Sequence, residues 1–125
     1  MNTNDTFTAN ACLDYLGAAL SLICQKDLKP FDYDENSYIR LISKQVTFEG
    51  LIDASFNQIR QCGSTNPSIL IHMLETLTSI LICAQTQVQK NALKKHATMI
   101  KNLESHLLEV QDRKDVLRRY LQFNL

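Results

Sequence analysis

Residues 46–63 read VTFEGLIDASFNQIRQCG, a stretch with the start, the stop and both faces of a helix. Phe48, Leu51, Ile52, Ser55, Phe56, Ile59 and Cys62 recur at steps of three and four, which puts them on one stripe. Glu49, Asp53, Asn57, Arg60 and Gln61 take the other side. The Thr47 hydroxyl suits the first turn as a cap, and Glu49 suits the positive end of the helix dipole. Gly63 stands where a left-handed C-terminal cap is wanted. Two Phe side chains one above the other make this the helix on which others are expected to pack.

Working outward, the segment before it reads as a helix from Thr3 or Asn4 to about Lys26. Its core stripe is Ala9, Cys12, Leu13, Leu16, Ala19, Leu20, Ile23 and Cys24, with small residues Gly17–Ala19 that permit close approach. Lys29-Pro30 ends that pattern. Strand-forming residues around the turn cluster Asp34–Ser37 then predict a small hairpin over Phe31–Ile42. After the central stretch, Asn66 and Pro67 open a further helix to Gln85. That helix is apolar nearly all round, the pattern of one buried mid-bundle or at a subunit contact. Thr86 with Gln89 forms a capping box for a helix to about Leu108. Asp112 is placed to cap a last one, with Val116, Leu117, Tyr120 and Leu121 facing in. The fold expected is mainly α: five helices in one compact bundle-like domain over residues 1–125, with the hairpin as its β element.

The chain has 125 residues, and a chain of this length buries roughly two-thirds of its unfolded surface. Gly 3 and Pro 2 leave little turn chemistry, so long elements and short loops are expected. A formal net charge of zero argues against a general nucleic-acid surface or a polybasic membrane anchor. The four cysteines lie in apolar helical patterns without a CxxC pair, and MNTNDTFTAN lacks the regions of a signal peptide. The expectation is a reducing, cytoplasmic setting, free or held by a partner at the inner face of the membrane, with four free thiols in or near the core. The longest apolar run, Ile69–Ala84, is broken by His72, Glu75, Thr76, Thr78 and Ser79 and falls short of a span, so no transmembrane segment is expected.

Signatures of catalysis are absent: no GxSxG elbow, no Gly-rich phosphate loop, no HExxH. His72, His96 and His106 lack metal-pair spacing. Asp32-x-Asp34-x-Asn36 lacks the Gly and the closing Glu of a calcium loop. No metal and no cofactor is therefore assigned. The polar face of the central helix remains, with Glu49, Asp53, Asn57 and Arg60. It reads first as a solvated face or a strut to a neighbouring helix. It reads second as a small-ligand or enzymatic site between the first and central helices, using Asp5, Thr8, Asp14, Glu49, Asp53, Gln58 and Arg60.

Three stretches together resemble a bacterial predicted-membrane-protein family, domain of unknown function 2254. NDTFTANACLDYLGAAL (residues 4–20), PFDYDENSYIRLI (residues 30–42) and VTFEGLIDASFNQIRQCG follow the order of its motifs. Asn4, Asp5, Phe7, Thr8, Asp14, Arg40, Phe48, Glu49, Asp53, Gln58 and Arg60 stand at matching positions. Thr6 replaces the family's Pro, Ser37 its hairpin Gly, and Cys62 its aromatic. The resemblance implies the C-terminal soluble portion of a protein whose members also carry transmembrane helices, with the match looser after Gln85. Together with the apolar second face of residues 67–85 and the absence of catalytic signatures, it points to a non-enzymatic packing, oligomerisation or regulatory module, partnered by its own upstream half, another copy or a membrane-protein relative. A truncated, vestigial fragment is the remaining alternative.

Overall fold

The computed structural model describes residues 3–26 and 47–124, with side chains from Thr6 on. The elements are α1 (Thr3–Lys26), α2 (Phe48–Cys62), α3 (Pro67–Cys83), α4 (Gln87–Asn102), a 3-10 turn at Glu104–His106, and α5 (Val110–Phe123). The expected mainly-α bundle with a small β hairpin is corrected on its second half. Every element among the described residues is helical and none is a strand, while Phe31–Ile42 lies outside them. No described strand offers an edge on which a two-stranded hairpin, marginal by itself, can lean.

The helix starts follow from their caps. Thr47 Oγ1 accepts from the Gly50 amide at 3.0 Å. Asn66 Oδ1 accepts from Ser68 N at 3.1 Å and Ile69 N at 3.4 Å, with Pro67 at the first helical position. Thr86 and Gln89 cap each other reciprocally, at 3.1 Å and 3.3 Å. Each cap satisfies amides that a helix start otherwise leaves unpaired. Two expected terminal details differ. Gly63 has φ −103° and ψ 17°, not a left-handed conformation. A Cβ there would meet Ile69 Cγ2 at 2.6 Å, so the glycine answers a need for space. The last helix starts at Val110 with Glu109 as its N-cap residue, and Asp112 lies inside the first turn.

The hub is α3 rather than the Phe-bearing α2. It packs against α1, α4 and α5, whereas α2 rests on α1 and α4. Its all-round apolarity is the cause: Ile69, Leu70, Met73, Leu74, Leu77 and Ile80 are buried on several sides. They share one core with Leu13, Leu20 and Cys24 of α1, Phe48, Ile52 and Phe56 of α2, Leu93 and Ile100 of α4, and Val116 and Phe123 of α5. The α1 stripe is narrower than its pattern suggests, since Cys12 and Ala19 are exposed. Likewise Leu121 is exposed, while Phe123 faces in.

Candidate functional site

The polar residues singled out in the sequence do not converge on one site. Asp53, on α2, faces α4. Its Oδ1 accepts from His96 Nε2 at 2.7 Å and from Lys95 Nζ at 3.1 Å, and Lys95 also reaches Oδ2 at 3.3 Å. The carboxylate accepts only, so Nε2 carries the imidazole proton and Nδ1 keeps a lone pair. His96 is 1% exposed, and its Nδ1 has no partner. The ring lies edge-on to Phe56, with centroids 5.9 Å apart and planes at 64°. Burial holds His96 below its ordinary pKa of 6.5, against the opposing pull of Asp53. The His96 hydrogen bond, helped by Lys95, holds the Asp53 carboxyl below 3.8 against partial desolvation. This is a latch between two helices. Arg60 sits beside it, donating from Nη1 to Asn57 Oδ1 at 2.8 Å and to Met99 Sδ at 3.3 Å.

Asp14 belongs elsewhere. Its Oδ1 lies 2.7 Å from His72 Nε2, an exposed pairing of α1 with α3. Thr8 and Gln58 line a groove of about 530 Å³ between α1 and α2, together with Ala9, Cys12, Ile59, Cys62 and Ile69. Glu49 is half-buried in the first turn of α2. Asp5 lies on α1, with its side chain outside the described ones. Of the seven candidate residues, the structure joins Thr8 with Gln58 and sets Asp14 and Asp53 on different helix pairs.

His96 is the functional-looking residue that the sequence reading weighs only as a metal ligand. The signal was its place on the apolar stripe of α4 with Ala92, Leu93 and Ile100, where a buried imidazole requires a polar partner. Among the described residues no three His, Cys, Asp or Glu side chains converge as a metal site. The thiols differ from the expected set of core cysteines: Cys24 is buried and Cys83 half-buried, but Cys12 and Cys62 are exposed. Burial, and then the nearby Cys83, pushes the Cys24 thiol up to about 11.

The model of the predicted membrane protein family, domain of unknown function 2254, matches residues 2–79. The chain belongs to this family. The match covers α1, α2 and most of α3 but not α4 or α5. No curated protein and no solved structure matches the chain.

Family membership and α1 together correct the expected cytoplasmic setting. The family is one of predicted membrane proteins. Thr6–Lys26 is 21 residues long and holds an 18-residue stretch of mean hydropathy 1.4, long and apolar enough to cross a bilayer by length and composition, and 22% of that stretch is buried. In the longest apolar run of the sequence, residues 69–84, most of the apolar side chains are core or packed against it, with Ile82 exposed. On α1 the uncharged residues face outward as well as inward, with Asp14 as the charge between Thr6 and Lys26.

Proposed function

We propose that this chain is a non-enzymatic packing module of its membrane-protein family, held by the outer face of α1 against apolar membrane-embedded surface. One observation carries the reading: Phe7, Tyr15 and Leu22 are 76%, 79% and 55% exposed along a single face of α1. Large side chains gathered on one face of a soluble monomer mark an interaction surface, whereas scattered ones do not. The polar residues fit the role of struts. Asp53 with His96 ties α2 to α4, and Asp14 with His72 ties α1 to α3, so both pairs hold α1 and its scaffold in place. In longer proteins of the kind the resemblance implies, the module forms the C-terminal portion beside the membrane-spanning helices.

The test is light-scattering mass of the wild type and of Phe7→Ser/Tyr15→Ser/Leu22→Ser, with and without a mild detergent. The reading expects self-association of the wild type in plain buffer, a discrete particle in detergent, and a monomer under both conditions for the triple variant. A wild-type monomer indifferent to detergent refutes it.

The groove of about 530 Å³ lined by Thr8 and Gln58 favours a second reading, a small-ligand site between α1 and α2. Its volume lies in the range of ligand pockets, roughly 300–1,000 Å³. Ile59→Trp would fill the groove, so ligands that raise the melting temperature of the wild type should lose their effect in that variant. Hits that survive the substitution bind elsewhere.

A further inference from the structure

The outer face of α1 admits two placements against a bilayer, across it or along its surface, and the contacts of the opposite face decide between them. At 3.6 residues per turn, Leu13, Gly17, Leu20 and Cys24 share one arc, and all four are buried. The opposite arc carries Phe7, Ala11, Tyr15, Ala18 and Leu22 without a charge. Asp14 stands at its margin, turned to His72.

Helix α1 is fixed to α3 along its length, through the buried arc at Gly17 and through Asn10 and Gln25 outside that arc. A Cβ on Gly17 would lie 2.8 Å from Thr76 Cγ2, so the helices are in close contact there. Asn10 Nδ2 donates to Ser68 Oγ at 3.3 Å near one end, and Gln25 Nε2 to Cys83 Sγ at 3.3 Å near the other. If α1 crossed the bilayer, α3 would go with it. Asp14 with His72, and the exposed Glu75 of α3 with Arg119, would then enter the hydrocarbon, where ionisable groups are costly. If α1 lies in the surface, only the uncharged arc enters, to a depth of about 5–10 Å. Phe7 and Leu22 are then about 22 Å apart along the membrane, by the helical rise.

We propose that α1 is a monotopic membrane-surface helix, its Phe7–Tyr15–Leu22 arc inserted among the acyl chains of lipid. This rests on the packing-module reading and adds the occupant and the pose. The chain has no Trp, so Phe7→Trp, Tyr15→Trp and Leu22→Trp each report one position in the otherwise intact protein. Leu108→Trp, in the connection between α4 and α5, serves as the control. Phosphatidylcholine vesicles brominated near the headgroup or near the chain ends quench by depth. The expected result is that all three α1 reporters lose most of their fluorescence to the shallow bromines and little to the deep ones, with Leu108→Trp unquenched. A gradient of depth from Phe7→Trp to Leu22→Trp overturns the pose and leaves the packing reading intact. No quenching by any bromine overturns lipid as the occupant; if the wild type still becomes a discrete particle in detergent, a protein partner covers the arc. Quenching of Leu108→Trp to the same degree means general adsorption and also overturns the proposal.

Discussion

Removing the Asp53 carboxylate should destabilise the protein through His96 rather than through lost charge. In Asp53→Ala the His96 ring, 1% exposed, has neither nitrogen paired. A buried polar group left unsatisfied costs about 1–3 kcal/mol. The Asp53 side chain is 37% exposed, so solvent screens the charge attraction and adds little. The expected loss is about 2 kcal/mol. At a sensitivity of about 4 °C per kcal/mol for a chain of this size, that lowers the melting temperature by about 8 °C. Asp53→Asn keeps an acceptor for Nε2 and should lose about half as much. His96→Leu removes both ring nitrogens together and should change stability by less than about 1 kcal/mol, because Asp53 retains Lys95 and water. The acid dependence follows from the same geometry. The folded state keeps His96 neutral below 6.5, while the unfolded chain takes up its proton. Stability is therefore full above 6.5 and falls as the pH drops from there, by at most about 1.4 kcal/mol per unit from this residue. Asp53 adds a second loss, beginning below 3.8. Heat and urea melts at several pH values measure all of this. A stable Asp53→Ala, or an unchanged acid slope between pH 6.5 and 4 in His96→Leu, would refute the latch.

Two more substitutions test the packing around α1. Gly17→Ala should lower stability by about 1 kcal/mol, because overpacking against Thr76 outweighs the gain in helix propensity. Introduced beside Thr76→Ser, which keeps the hydroxyl bonded to the His72 carbonyl but removes Cγ2, the same change should stabilise by about 1 kcal/mol; equal signs in the two backgrounds refute the contact. Burial of the Cys24 thiol favours the folded state fully below pH 9.0 and less as the pH rises toward about 11, since the unfolded chain ionises first. The stability gap between wild type and Cys24→Ala should shrink across that window, and a gap that widens contradicts the burial.

The sequence made the local devices legible and hid the distant ones. Thr47, Asn66 and the Thr86–Gln89 box are caps built within a few residues, and each is found where its chemistry places it. The partners of Asp53 and Asp14 lie far along the chain, beyond the reach of helical spacing. Two Phe residues drew attention to α2, but the apolar breadth of α3 makes it the hub, since a helix packed on several sides needs apolar residues on each. Gly63 shows a third kind of difference: its position suggested a backbone requirement, and its reason is the Ile69 side chain. For α1, apolar residues on both faces made the periodicity ambiguous, and only the packed structure separates the core arc from the outer one. The hairpin reading came from strand propensity, which depends on a neighbouring strand to pair with.

The central claim is that the outer arc of α1 seats the chain on a membrane. Flotation with phosphatidylcholine vesicles in a density gradient tests it most directly, comparing the wild type with Phe7→Ser/Tyr15→Ser/Leu22→Ser. The three side chains are exposed, so the variant should keep the wild-type circular-dichroism melt to within about 0.5 kcal/mol per site. The account predicts that the wild type rises with the vesicles and the variant stays at the bottom. A folded wild type that remains at the bottom as a monomer would contradict it.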